Sequence, residues 1–111
     1  MNFEQACQDV LAFRDERNWK QFHNPKDLAI SINLEAAELL ELFQWSGTDT
    51  ERAEKLPQMR EELADVLIYC IDLADRLDLD IPTIIGQKMK TNRQKYPADK
   101  ARDTAAKYDE L

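Results

Sequence analysis

Glycine occurs twice and proline four times in 111 residues, too few turn formers for the many tight reversals of a β-sandwich or barrel. Only two cysteines are present, Cys7 and Cys70, each inside a helical pattern, which fits a reducing compartment better than a disulfide framework. The chain opens with no basic stretch followed by an apolar one, so a cytoplasmic location is expected. Asp and Glu interrupt every hydrophobic run well short of the roughly 18 apolar residues a membrane span needs. A surplus of positive charge is missing too. With 22 acidic against 15 basic residues and a net charge of −7, the chain is a poor partner for a nucleic-acid backbone.

What remains abundant is helix-forming. Leu, Ala, Glu, Lys, Gln and Arg dominate the periodic stretches, so an all-α fold is expected, with a domain over 1–97 and a polar tail over 98–111. Asn2 and Gln5 form a capping-box pattern for a first helix ending near Asn18. Asn24 before Pro25 starts a second helix running to about Trp45. The Ser46–Thr50 stretch breaks the pattern, and a third helix runs from Pro57 to about Leu79. Asp80 and Pro82 start a fourth, stopped at Tyr96 by Pro97. The tail keeps modest helical potential around Ala101 to Lys107.

On the second helix, Leu28, Ile32, Ala36, Leu39, Leu42 and Phe43 share one stripe, and Glu35 falls inside it. Glu38 lies one turn further, on the stripe's edge. The third helix repeats the arrangement: Met59, Leu63, Val66, Cys70, Leu73 and Leu77 form its stripe, with Glu62 and Asp65 at its edge and Tyr69 on their side. Four acids converging between packed helices repel one another and lose hydration, unless protons or a cation compensate. Oxygen-only ligands suit a hard divalent cation, and Mg2+ commonly joins a few carboxylates to substrate phosphates. For a single E-x-x-E pair a solvated helix flank is the simpler reading; the doubled pattern, with Glu35 inside the stripe, favours a site.

Lys88, Asn92 and Lys95 share one face of the fourth helix and could meet phosphate oxygens, although a snorkelling surface gives the same pattern. Trp19, Phe22, His23 and Trp45 offer flat rings that could hold a base; the plainer alternative makes Trp19 and Phe22 core corners and His23 a turn residue.

The run Glu35-Ala-Ala-Glu38-Leu-Leu-Glu41-Leu-Phe-Gln-Trp45, followed by Glu61-Glu62-Leu-Ala-Asp65-Val-Leu-Ile-Tyr69, resembles the MazG-like nucleotide pyrophosphohydrolases. Phe22-His23-Asn24-Pro25 and the stretch Lys88-Met89 to Tyr96-Pro97 are similar to their dCTP pyrophosphatase-like branch. The resemblance implies a MazG-like four-helix bundle, assembled as a homodimer or a dimer of dimers. It also implies Mg2+-dependent hydrolysis of nucleoside triphosphates to monophosphate and diphosphate, with Mn2+ as a substitute ion. By motif position the metal ligands would be Glu35, Glu38, Glu62 and Asp65, with Glu38 or Glu41 assisting deprotonation of water. Lys88, Asn92, Lys95 and Tyr96 would contact phosphates; Trp19, His23, Trp45 and Tyr69 would form the nucleoside pocket. Val10 stands where that branch places a base-reading histidine, so the base is left open. The rival expectation is a non-catalytic helical module that binds metal or a partner. A di-iron bundle is disfavoured, because neither acidic motif contains histidine.

Overall fold

The computed structural model describes residues 1–111 and is helical throughout, with no strand. Its helices are α1 (Phe3–Glu16), α2 (Pro25–Glu41), α3 (Leu56–Arg76), α4 (Ile81–Lys95) and a single turn, α5 (Ala98–Ala101). Short 3-10 turns occupy Lys20–Phe22, Ala53–Lys55 and Tyr108–Glu110. None of these helices is long and apolar enough to cross a membrane. Met1–Asp78 form one compact unit and Leu79–Leu111 another.

Three helix starts follow their local chemistry. The Asn2 side chain accepts from the Gln5 amide at 2.8 Å while Gln5 Oε1 accepts from the Asn2 amide at 2.8 Å, the reciprocal capping box expected for α1. Asn24 Oδ1 accepts from the Asp27 amide at 2.9 Å, and Pro25 occupies the first turn of α2. Asp80 Oδ2 accepts from both the amide (3.2 Å) and the hydroxyl (2.6 Å) of Thr83 at the start of α4.

The helix ends are less regular than the sequence suggests. α2 stops at Glu41 rather than near Trp45: the amides of Leu42, Phe43 and Gln44 turn to the carbonyls of Leu39, Leu40 and Glu41, tightening the last turn. Trp45 then takes a left-handed conformation, φ 64°, which no right-handed helix admits. α1 ends at Glu16 with Asn18 left-handed at φ 53°, and α3 ends at Arg76 with Asp78 left-handed at φ 56°.

In the first unit α2 and α3 form a helical hairpin joined by the loop 42–55, with α1 packed on α3. The core is small. Leu28 of α2 (1% exposed) is buried with Ile71 and Ala74 of α3. Leu63 and Leu77, expected within the apolar stripe of α3, are instead half exposed, as is Ala36 on α2's stripe. α3 spans 21 residues, and within this unit α1 and the 17-residue α2 cover only part of its surface. The hairpin places the second half of α2 beside the first half of α3, where both acidic motifs lie.

Candidate functional site

Glu35 and Glu38 on α2 meet Glu62 and Asp65 on α3. One carboxylate oxygen from each lies within 4.8 Å of the others. Three of the four residues are half buried and Glu38 is exposed, as expected from its place at the stripe's edge. Glu35 Oε2 and Glu62 Oε2 are both shut off from solvent without a hydrogen-bond donor. Burial pushes the Glu35 carboxyl above its ordinary range, with contact from Glu38 and the charge of Asp65 adding to the effect. Contact with Glu38 raises Glu62 first, followed by burial and by the charges of Asp65 and Glu35. Negative charge is thus crowded here beyond what the protein itself neutralises. Oxygen-only donors at this spacing, two of them sheltered and unpartnered, fit a hard divalent cation.

Tyr69 continues the acidic edge of α3 one turn on. Its hydroxyl is pushed up by burial and then by the charges of Glu35, Asp72, Asp65 and Glu38, so it sits within their field. The aromatic residues ahead of α2 take separate positions. Trp19 packs its ring edge-on to Phe13, with centroids 5.7 Å apart, and stays half exposed; Phe22 is more exposed still. His23 is half buried, its Nδ1 inside and unpartnered. Trp45 is 91% exposed, a large apolar ring left in water on a backbone conformation that costs roughly 1–2 kcal/mol. Glu41 does not join the four acids. It lines a separate concavity of 390 Å³ with Ala37, Leu40, Phe43 and Gln44.

In the second unit, Lys88 is exposed and Asn92 is half buried, with its amide 3.8 Å from Met89 Sδ. Lys95 Nζ lies 4.6 Å from the centre of the Tyr108 ring, and Tyr96 meets the same ring edge-on at 6.1 Å. Lys95, Tyr96 and Tyr108 therefore form one local cluster at the end of α4.

Residues 30–111, containing both acidic motifs, match the MazG-like family. The chain belongs to that family. Among curated relatives, this MazG-like chain is 44% identical over 105 residues to dCTP pyrophosphatase 1 of Homo sapiens and of Mus musculus, and 42% identical over 104 residues to that of Rattus norvegicus. Each alignment covers 89% of this chain and 61% of the relative, so the chain spans about three-fifths of their length. The crystal structure of a pyrophosphatase from Archaeoglobus fulgidus is 42% identical and superposes with a TM-score of 0.76, covering 85% of this chain and 91% of that one.

Sequence reasoning missed one feature of this MazG-like chain. Arg14 and Asp72, both 4% exposed, form a polar cluster with Asp15 and Asp75: Arg14 bonds both of these, and the charges of all three act on Asp72. A signal for Asp72 alone was present: Glu62, Asp65, Tyr69 and Asp72 fall at i, i+3, i+7 and i+10, one continuous stripe along α3.

Proposed function

We propose that the protein hydrolyses nucleoside or deoxynucleoside triphosphates to the monophosphate and diphosphate, with Mg2+ as the ion and Mn2+ as its substitute. The observation that carries this reading is the meeting of Glu35, Glu38, Glu62 and Asp65, with two sheltered oxygens that no protein donor satisfies. These four side chains would hold the cation. Bound there, it supplies Lewis acidity, neutralising phosphate oxygens and making an attacking water more acidic.

The remaining work falls to the protein's own groups. Glu38, exposed at the edge of the four, would take a proton from water, with Glu41 as the alternative acceptor. Lys88, Asn92, Lys95 and Tyr96 would contact the phosphate chain, and Trp19, His23, Trp45 and Tyr69 the nucleoside. The curated relatives are dCTP pyrophosphatases, which supports a dCTP-like substrate. Val10, an apolar side chain on α1, offers the base no hydrogen bond, which leaves room for other or modified pyrimidines. Removal of excess or non-canonical nucleotides from a cytoplasmic pool fits such an activity. A product-resolved assay with Mg2+ and a nucleotide panel tests the reading: monophosphate and diphosphate are expected in equal amounts. Absence of both from folded protein would favour a non-catalytic metal-binding module instead.

The protein would act as a homodimer or homotetramer. Ile30, Leu34 and Leu40 on α2 and Leu63, Leu67 and Ile68 on α3 are between 38% and 71% exposed, more apolar surface than a monomer of this length ordinarily leaves in water. Light scattering coupled to size exclusion at micromolar concentration is expected to give twice or four times the 13.0 kDa chain mass. A monomer mass would refute the assembly.

A further inference from the structure

The end of α1 follows a specific backbone pattern. The Trp19 amide donates to the Arg14 carbonyl at 3.1 Å and the Asn18 amide to the Asp15 carbonyl at 3.0 Å, with Asn18 left-handed at φ 53°. These are the two nested bonds of a Schellman motif, in which the residue after the left-handed one turns back over the last helical turn and meets an apolar side chain there. Phe13 is that side chain. Its ring centre lies 5.7 Å from that of Trp19 with the planes 75° apart, an edge-to-face contact. Phe13 is held in turn by Arg17, whose guanidinium carbon lies 3.6 Å from the centre of the ring and whose Nη1 donates to the Phe13 carbonyl at 3.0 Å. Core burial does not account for this stack, since Phe13 is 49% exposed and Trp19 44%. An edge-to-face contact takes up at most one face of the indole, so Phe13 leaves at least one face uncovered.

We propose that Phe13 is a positioning residue: engaged by Arg17 and set edge-to-face against Trp19, it holds the indole in one orientation as a stacking platform for the nucleobase. The contact to the base rests on the proposed function; the holding of Trp19 does not. An indole free to turn about its side-chain bonds gives up that freedom when a base stacks on it, whereas a ring already fixed has none to lose. The stack therefore favours substrate binding without touching the reacting phosphate. Trp19 belongs to the same compact unit as Glu35, Glu38, Glu62 and Asp65, so one body carries the platform and the acids. The left-handed Asn18 is the second support, because it steers the backbone that returns Trp19 to Phe13.

The chain has two tryptophans, Trp19 and Trp45, and Trp45→Phe assigns their indole N–H signals. Nitrogen relaxation of the nucleotide-free protein is expected to give the Trp19 indole an order parameter close to the rigid-backbone value of about 0.85. Phe13→Leu should lower it and Phe13→Tyr should leave it unchanged. A flexible Trp19 indole in the wild type, below about 0.6, or an unchanged one in Phe13→Leu, would overturn the proposal. Asn18→Val, whose branched side chain disfavours a left-handed backbone, should loosen the indole by the second route, and Asn18→Gly should not. Should Phe13→Leu not fold, that pair decides. In steady-state assays Phe13→Leu is expected to raise KM about fivefold with kcat within about twofold, and Phe13→Tyr to keep the wild-type KM. Added to Trp19→Ala, Phe13→Leu should change KM no further, because it acts through the indole. A further rise there, or a fall in kcat at unchanged KM, would refute the positioning role. A loosened indole with KM and kcat both unchanged would refute the contact to the base. If the wild type cleaves no nucleotide, the proposed activity fails, while relaxation still decides whether Phe13 holds Trp19.

Discussion

Replacing Glu38 with glutamine is expected to lower kcat/KM for nucleotide hydrolysis at least about a hundredfold and to weaken Mg2+ binding measured by calorimetry. The substitution keeps the shape of the side chain and removes its charge. Glu38 is the informative choice because it raises both of its neighbours: Glu35 and Glu62 are each pushed up in part by contact with it. The same change should therefore make the metal-free protein more stable. The sign follows from linkage. Glu35 and Glu62 hold their protons more tightly when folded than their ordinary value of 4.5, so the native state binds more protons just above that pH. Stability is fully present below pH 4.5 and is lost as pH rises through the raised folded values. Glu38→Gln should flatten that decline in thermal melts without metal, whereas saturating Mg2+ should raise the melting temperature of the wild type and scarcely that of the variant. Full activity in the variant would remove Glu38 from the ligand set. Identical metal-free melts across the pH range would show that the carboxylates do not strain one another.

Arg14→Met should be the most damaging substitution for stability away from the acids, costing about 3–5 kcal/mol and lowering the melting temperature by more than about 10 °C. Arg14 is one of the few deeply buried residues of the first unit, and it is the cation for Asp15, Asp75 and Asp72. Burial works against its own charge, but the hydrogen bonds it donates to Asp15 and Asp75, and their negative charges, more than offset this. Methionine fills much of the same space but leaves Asp72 enclosed with no guanidinium beside it. Asp15 and Asp75 can turn to water, their side chains being 57% and 35% exposed; Asp72 cannot. The double change Arg14→Met with Asp72→Leu should recover a large part of the loss, because an apolar pair needs no counter-ion. A single variant that melts within about 2 °C of the wild type would show the cluster to be wet.

The features legible in the sequence are those set by neighbours a few positions apart. Asn2, Asn24 and Asp80 announce helix starts because each cap bonds to an amide three residues ahead. Both acidic motifs are visible for the same reason, since a three-residue step puts two carboxylates on one side of a helix. Their meeting at 4.8 Å also requires α2 and α3 to pack, which the two apolar stripes already imply. The end of α2 was not legible: Leu42 to Trp45 continue a helical pattern, and nothing local marks Trp45 as left-handed. The Arg14 cluster was hidden for a different reason. Arg14 and Asp75 are 61 positions apart, and no periodicity pairs a buried arginine on one helix with an aspartate on another. The apolar stripe of α3 marks residues able to be covered, but Leu63 and Leu77 remain uncovered within the unit that holds them.

A chain with so few glycines must halt its helices on residues that carry side chains. Asn18, Trp45 and Asp78 all do so with the backbone in the mirror-image twist that glycine adopts most comfortably. Asn and Asp tolerate that twist, so its cost falls mainly on Trp45, whose ring is 91% exposed. At that one corner the chain forgoes a little stability that Trp45→Gly would recover.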